Sequence, residues 1–149
     1  MRCGTVCWMS DPYDLDRFVD AQDADGTYVE ALRELRAGSK RSHWMWFVFP
    51  QLAGLGRSPT AQHFAISGRA EAAAYLTHDV LGERLRESAR ALVDLGATDA
   101  ATVLGPVDAQ KLRSSMTLFA EVSDDEPVFA QVLDQYFAGQ RDRATVDRL

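Results

Sequence analysis

The run K-R-S-H-W-M-W-F-V-F-P-Q-L, residues 40–52, places two of the chain's three tryptophans directly after a basic pair. Aromatic faces stack on the flat rings of nucleotide-like ligands, and neighbouring cations bind the anionic groups of such ligands. The alternative is that these rings form the centre of the core, because a tryptophan buries a large apolar area. We predict a ligand-binding site in this run, formed by Lys40, Trp44, Trp46 and Gln51.

One side chain of this run can move a proton near neutral pH, since imidazole titrates there. His43 lies between the basic pair and the tryptophans and is the predicted catalytic residue, with a packed, hydrogen-bonded histidine as the alternative. His63 and His78 are interpreted as structural or surface residues. The spacing of the histidines and of Cys3 and Cys7 matches no metal-binding pattern, so we predict neither a metal site nor a cofactor.

A second polar group lies in the run D-A-Q-K-L-R-S-S-M-T-L-F, residues 108–119. Lys111, Ser114 and Ser115 are spaced i, i+3 and i+4, and therefore share one face of a predicted helix. Serine is only a moderate helix former, so the pair indicates either close helix packing or a pocket lined by hydroxyl groups. We predict all three residues as ligand-binding.

Two amides, Gln22 and Gln51, lie on otherwise apolar elements. Buried amides must be hydrogen-bonded, so each is predicted either to orient a ligand or to tie two helices together. We include both with the ligand-binding residues. The chain contains no P-loop, no G-x-G-x-x-G and no G-x-S-x-G motif, so the residues do not indicate a particular reaction.

Helical patterns position these groups. We predict a first helix capped by Asp14, a second that ends at Gly38, and a short buried helix within residues 43–49. A helix begins at Ser58 with proline in its first position, and Asp79 is the predicted N-cap of the longest helix. No segment alternates apolar and polar residues as a strand does. The predicted fold is all-α, a single compact domain of about seven or eight helices.

Length and charge bound the class of protein. A chain of 149 residues favours one domain, and a net charge of −6 argues against bulk binding to nucleic acid or to acidic membranes. No run resembles a membrane span or a signal peptide, which predicts a cytoplasmic protein. Residues 1–10 are predicted to be an N-terminal extension, with Met9 as an alternative start, and residues 11–149 to be the domain.

The chain resembles the bacterial domain-of-unknown-function family 1810 in four segments: D-P-Y-D-L-D-R-F-V-D-A-Q, K-R-S-H-W-M-W-F-V-F-P-Q-L-A-G-L-G-R-S, Y-L-T-H-D-V-L-G-E-R-L and K-L-R-S-S-M-T-L-F. The resemblance runs from about Asp11 to the C-terminus. It implies a single, almost wholly α-helical domain and no established activity. Members often carry a calpastatin label, which these residues do not support.

The run F-V-D-A-Q, residues 18–22, is similar to an F-x-x-A-Q run of the NADAR family, whose members act on ADP-ribose-type N-glycosidic bonds. The other polar motifs of that family are not visible in this chain. We predict a small-ligand-binding domain and, if it is an enzyme, one that acts on a nucleotide or ADP-ribose derivative. The alternative is a non-enzymatic protein-interaction module in which the aromatic run serves as core.

Overall fold

The regular secondary structure is helical throughout the part of the chain that the computed structural model describes, residues 11–123 and 125–149. An isolated parallel bridge joins Leu52 to Ile66 in the same part. The predicted all-α fold in one domain is confirmed, whereas the predicted extension, residues 1–10, lies outside the described residues. The helices are α1 (Asp16–Asp23), α2 (Thr27–Ala37), α3 (Met45–Val48), α4 (Pro59–His63), α5 (Arg69–Thr77), α6 (Leu81–Leu95), α7 (Ala100–Leu104), α8 (Pro106–Val122), α9 (Pro127–Phe137) and α10 (Arg143–Arg148), with a 3-10 turn at Ala24–Gly26.

Two predicted helix ends are confirmed by their local geometry. Gly38 follows α2 in the left-handed conformation, at φ 73°, which glycine adopts without the steric cost that a Cβ brings. The hydroxyl of Ser58 accepts a hydrogen bond from the N–H of Ala61 at 3.1 Å, and Pro59 is the first residue of α4. Local chemistry alone is sufficient to define these ends.

Two predicted N-caps are wrong, because a different side chain reaches the unpaired N–H groups of the helix. Asp14 adopts a left-handed conformation at φ 52°, and the carboxylate of Asp11 accepts the backbone N–H groups of Leu15 and Asp16 at the start of α1. At the start of α6 the acceptor is Nδ1 of His78, at 3.1 and 3.2 Å from two backbone nitrogens, rather than the carboxylate of Asp79. His78 thus has a structural role, as its sequence position predicts.

A series of aromatic contacts joins four helices through the core. The ring of Tyr75 in α5 lies 5.1 Å from Phe18 of α1 and 5.4 Å from Phe119 of α8, and Phe119 lies 5.9 Å from Phe129 of α9. All four rings are fully buried, and burial of large aromatic side chains contributes strongly to core stability. Helix α8 also packs against α7 and α10, so it occupies the centre of the domain.

The segment between α2 and α3 runs alongside α7, and this places the aromatic run next to α8. The backbone N–H of Lys40 donates to the carbonyl of Val103 at 2.8 Å. Helix α3 forms within the predicted range and buries Met45, Phe47 and Val48. The aromatic run and the Lys111 face of α8 therefore meet in three dimensions.

Candidate functional site

The segment that carries the first candidate residues is folded around one buried carboxylate, that of Glu34 in α2. Its oxygens accept hydrogen bonds from the N–H of Arg41 at 2.8 Å, from the N–H and hydroxyl of Ser42 at 3.0 and 2.6 Å, and from Nε1 of Trp44 at 2.9 Å. Glu34 and Trp44 are both buried. The indole N–H of Trp44 thus has its partner inside the protein, and the ring belongs to the core.

The same contacts control the ionisation of Glu34. Burial by itself would raise its pKa, but the hydrogen bonds from Ser42, from the backbone of Arg41 and from Trp44 outweigh burial and lower the pKa from 4.5 to about 2. Donors that bind a carboxylate favour its charged form. Glu34 is therefore a charged anchor for residues 41–44 at neutral pH.

The ammonium of Lys40 contacts three groups of the protein. Its ammonium lies 2.8 Å from Oδ2 of Asp108, donates to the carbonyl of Ser42, and lies 5.0 Å from the centre of the Trp44 ring. Only 8% of its side chain is exposed. An ammonium with these partners is a fixed charge, and it has little capacity to bind a further anion.

Lys111 is held more loosely by the same carboxylate. Its ammonium is 3.7 Å from Oδ1 of Asp108, beyond hydrogen-bond distance, and lies 4.7 Å from the centre of the Trp46 ring. Trp46 is half-buried, in contrast to Trp44. A partly exposed indole with an incompletely paired cation above it can stack a planar ring and attract an anion.

The structure thus brings four predicted residues together around one that was not predicted. Asp108 links Lys40 and Lys111, and each ammonium rests on a tryptophan. A sequence signal for this cluster exists: of the 16 Lys and Arg residues, only Lys40 and Lys111 are lysines. We call Lys40, Trp46, Asp108 and Lys111 the Trp46 surface.

The remaining residues of the aromatic run lie at its edges. Arg41 and His43 are exposed, and both belong to the segment that Glu34 anchors. Gln51 is half-buried, and its carbonyl accepts the N–H of Ile66 at 2.9 Å, which fixes the chain just after α3. His43 is thus reachable by a ligand, and its role as a catalytic residue stays a prediction.

Gln22 lies inside the protein and ties three helices together. Its amide donates to the carbonyl of Phe47 in α3 at 2.7 Å and accepts from the guanidinium of Arg84 in α6 at 3.1 Å. Tyr75 lies beside it, with its hydroxyl 3.4 Å from both the Gln22 amide and the Phe47 carbonyl. These partners correspond to the structural alternative that the sequence left open for this amide.

Ser114 also has protein partners. Its hydroxyl lies 3.2 Å from the carbonyl of Gln110 and 3.2 Å from Oδ2 of Asp142, the buried N-cap residue of α10. The same carboxylate oxygen accepts from Thr145. Ser114 therefore holds α10 against α8, and these contacts do not involve the Trp46 surface.

Ser115 differs from Ser114, because its fully buried hydroxyl has no hydrogen-bond partner among the described residues. It lies one helical turn after Lys111, on the same face of α8. A buried hydroxyl without a partner destabilises the folded state by about 1–3 kcal/mol. Ser115 is thus the predicted hydroxyl for which the described part of the chain provides no hydrogen-bond partner.

We expect Ser115→Ala to raise the free energy of unfolding by about 1 kcal/mol, because the change removes the unpaired hydroxyl and alanine favours the helix. Urea denaturation measures the difference. The matched control is Ser114→Ala, which should lower the free energy of unfolding by about 1–2 kcal/mol, since it removes a partner of Asp142. Destabilisation by Ser115→Ala would contradict the absence of a partner.

Two residues that sequence reasoning missed organise the site, Glu34 and Asp108. Asp108 lies three positions before Lys111, a spacing that allows an ion pair on one helix face. Glu34 is a charged residue between Ala31 and Leu35, both fully buried, on the apolar stripe of α2. A charge on a buried stripe is the signal that identifies such an anchor.

Two cavities lie away from these residues. One of about 470 Å³ lies between α2 and α6 and is lined by Arg36, Glu87, Arg90, Ala91, Asp94 and Leu95. The other, of about 440 Å³, lies beside the start of α9. Within residues 11–123 and 125–149, no group of three or more His, Cys, Asp or Glu side chains is placed to hold a metal ion, and no helix is long and apolar enough to cross a membrane.

Comparison with known proteins identifies the family. Residues 12–149 match the family model described as "Protein of unknown function (DUF1810)". The chain is 50% identical to the conserved hypothetical protein Rv1873 from Mycobacterium tuberculosis, whose crystal structure superposes with a TM-score of 0.90 over 93% of this chain and 98% of that one. No curated protein matches the chain significantly. The protein therefore belongs to the DUF1810 family of proteins of unknown function.

Proposed function

We propose that the Trp46 surface binds a small anionic, nucleotide-like ligand, with ADP-ribose as the first candidate. The observation that carries the proposal is the position of the Lys111 ammonium, 4.7 Å from the centre of the half-buried Trp46 ring and 3.7 Å from Oδ1 of Asp108. Trp46 would stack on the flat ring of the ligand, and Lys111 would bind its anionic group.

The local charge supports an anionic ligand. The protein as a whole carries a net charge of −6, yet two ammonium groups, those of Lys40 and Lys111, meet here at the single carboxylate of Asp108. Glu34 is buried and occupied by its own donors. Two cations against one carboxylate thus give this surface a positive local charge within an acidic protein, and such a local field attracts an anion.

A catalytic role would depend on His43. It is exposed and lies on the segment that Glu34 anchors, one residue before Trp44. If the ligand is cleaved at an N-glycosidic bond, its imidazole would serve as the general acid or base. Loss of turnover with retained binding in a His43→Gln variant would support that role, and unchanged turnover would exclude it.

We expect Trp46→Leu and Lys111→Met each to weaken ADP-ribose binding about tenfold or more. Stacking of a base on an aromatic side chain contributes about 1–3 kcal/mol, and about 1.4 kcal/mol corresponds to tenfold in affinity. Isothermal titration calorimetry measures the change. The control is Arg33→Met, which removes an exposed cation of α2 that pairs with Glu30 and should leave the affinity unchanged.

Two results would contradict the proposal. One is the absence of binding of ADP-ribose, AMP and NAD to the wild-type protein. The other is binding that both variants retain at full strength, since the ligand would then lie elsewhere. Circular dichroism spectra and urea unfolding of each variant show whether a loss of affinity reflects a loss of fold.

The second candidate function is a non-enzymatic protein-interaction module. The complete burial of Trp44 and Phe49 supports it, because these rings then serve the core, as the alternative interpretation of the aromatic run requires. Large exposed apolar residues include Val29, Val107 and Val146, which lie on three different helices. Two results together would favour this function over ligand binding: the wild-type protein binds no nucleotide, and the Trp46→Leu variant no longer binds a partner protein that the wild type binds.

A further inference from the structure

The two ammonium groups at Asp108 are bound unequally. Oδ2 lies 2.8 Å from Lys40, whereas Oδ1 lies 3.7 Å from Lys111. Lys40 has further partners in the Ser42 carbonyl and the Trp44 ring, and 8% of its side chain is exposed. Lys111 is more exposed, at 21%, and its ammonium also lies 4.7 Å from the centre of the Trp46 ring. Lys111 can therefore leave the carboxylate while Lys40 keeps it.

Asp108 itself is held in place independently of Lys111. It lies in the first turn of α8, a helix of 17 residues that begins at Pro106, and the N-terminal end of a helix stabilises a negative charge. Lys40 holds the second oxygen. The carboxylate therefore stays in place when the Lys111 ammonium moves.

We propose that Asp108 is a built-in competitor for the anionic group of the ligand. It holds Lys111 in the absence of ligand, and on binding the ammonium turns from Oδ1 of Asp108 to the ligand while it remains on the Trp46 ring. This inference rests on the proposed function and deepens it, because the competition defines which anionic group the surface accepts.

The competition favours a phosphate over a carboxylate. Asp108 repels any anion, so an anion replaces it at Lys111 only by binding the ammonium more strongly than Asp108 does. A ligand carboxylate carries the same single charge as Asp108 and therefore gains little by replacing it. A phosphate monoester carries a charge of about −1.5 to −2 near pH 7 and offers three acceptor oxygens, and the pyrophosphate of ADP-ribose likewise carries about two negative charges. The surface should therefore bind AMP more tightly than adenosine 5′-carboxylate, which has the same rings and a single charge.

We expect Asp108→Asn to strengthen the binding of ADP-ribose about fivefold. A partly exposed ion pair contributes up to about 1 kcal/mol, which corresponds to that ratio of affinities. The measurement is calorimetry at low ionic strength on wild-type, Asp108→Asn and Lys111→Met proteins. The matched control is Asp20→Asn, which removes one negative charge from an exposed position of α1 and should leave the affinity unchanged.

The results separate the inference from the proposed function. One result would overturn the inference but not the proposed function. In that result Lys111→Met weakens the binding of ADP-ribose, while Asp108→Asn either leaves it unchanged or weakens it. Binding of ADP-ribose by neither wild-type nor Asp108→Asn protein would overturn both. If Asp108→Asn does not fold because Lys40 is left buried without its carboxylate, the double variant Lys40→Met, Asp108→Asn removes the pair together and keeps Lys111.

A second measurement detects the release of the Lys111 ammonium from Asp108 in the absence of ligand. Lys40 and Lys111 are the only lysines in the chain, so an amine-acylating reagent followed by peptide mass spectrometry reports on each of them separately. Asp108→Asn should speed the acylation of Lys111 severalfold, and ADP-ribose should slow it in both proteins. An acylation rate of Lys111 that neither the substitution nor ADP-ribose changes would overturn the inference.

Discussion

Glu34→Ala is expected to lower the free energy of unfolding by about 3 kcal/mol or more, because each buried donor left without an acceptor costs about 1–3 kcal/mol. The substitution leaves the indole N–H of Trp44 buried without an acceptor and releases the backbone of Arg41 and Ser42. Urea denaturation measures the loss. For a domain of this length, it corresponds to a fall in Tm of about 10 °C or more.

Two further variants separate the charge of Glu34 from its shape. Glu34→Gln keeps one acceptor oxygen but turns an amide donor towards the Ser42 hydroxyl, so we expect a smaller loss of about 1–3 kcal/mol. Glu30→Ala is the matched control, because Glu30 lies one turn earlier on α2 with its side chain 43% exposed. It should change the free energy of unfolding by less than about 0.5 kcal/mol. Equal losses for Glu34→Ala and Glu30→Ala would contradict the anchoring role.

The same residue predicts a pH dependence. Because hydrogen bonds lower the pKa of Glu34 to about 2 in the folded state, its contribution to stability is complete above about pH 4.5 and is lost as the pH falls towards 2. The shift corresponds to about 3 kcal/mol. The difference in unfolding free energy between wild type and Glu34→Gln should therefore narrow between pH 5 and about 2. A difference that stays constant with pH would refute this.

Gln22→Leu is expected to lower the free energy of unfolding by about 2–4 kcal/mol. Leucine fills a similar volume but leaves the carbonyl of Phe47 and one donor of Arg84 without the amide that pairs them. Tyr75 compensates only in part, since its hydroxyl is 3.4 Å from that carbonyl. Chemical denaturation gives the magnitude, and Gln131→Leu at an exposed position of α9 is the same substitution without buried partners.

A double-mutant cycle tests whether the Gln22 network acts as a unit. Arg84→Met removes the guanidinium that donates to Gln22 and pairs with Asp23 at 2.8 Å. We expect a coupling of about 1–2 kcal/mol between the two changes, because residues that share a hydrogen bond are not additive. Additive losses would mean that Gln22 acts through Phe47 alone.

The amide and serine candidates show why residue type does not decide role. Gln22, Ser114 and Ser115 are all buried, and the sequence allows each of them either a packing role or a ligand. The choice depends on whether an acceptor or donor from another helix lies within about 3 Å, and that helix is distant in the chain. Asp142 supplies such a partner to Ser114, while Ser115 has none among the described residues.

Residue type also does not decide which of the two tryptophans in the aromatic run is buried. Residues 44–50 are apolar on every side, so no polar face indicates which ring points inwards. Glu34 decides this, because its carboxylate binds the N–H of Trp44 and leaves Trp46 at the edge under Lys111. A contact between α2 and the segment after it determines which indole can meet a ligand.

The sequence by itself determined the all-α class, the family, the helix ends at Gly38 and Ser58, and the two segments that carry the candidate site. These depend on local periodicity, backbone preference and motif. Only the tertiary structure decided that Lys40 and Lys111 share Asp108 and that Trp46, rather than Trp44, is the partly exposed ring. Those facts arise from contacts between distant segments, whose geometry local sequence patterns do not encode.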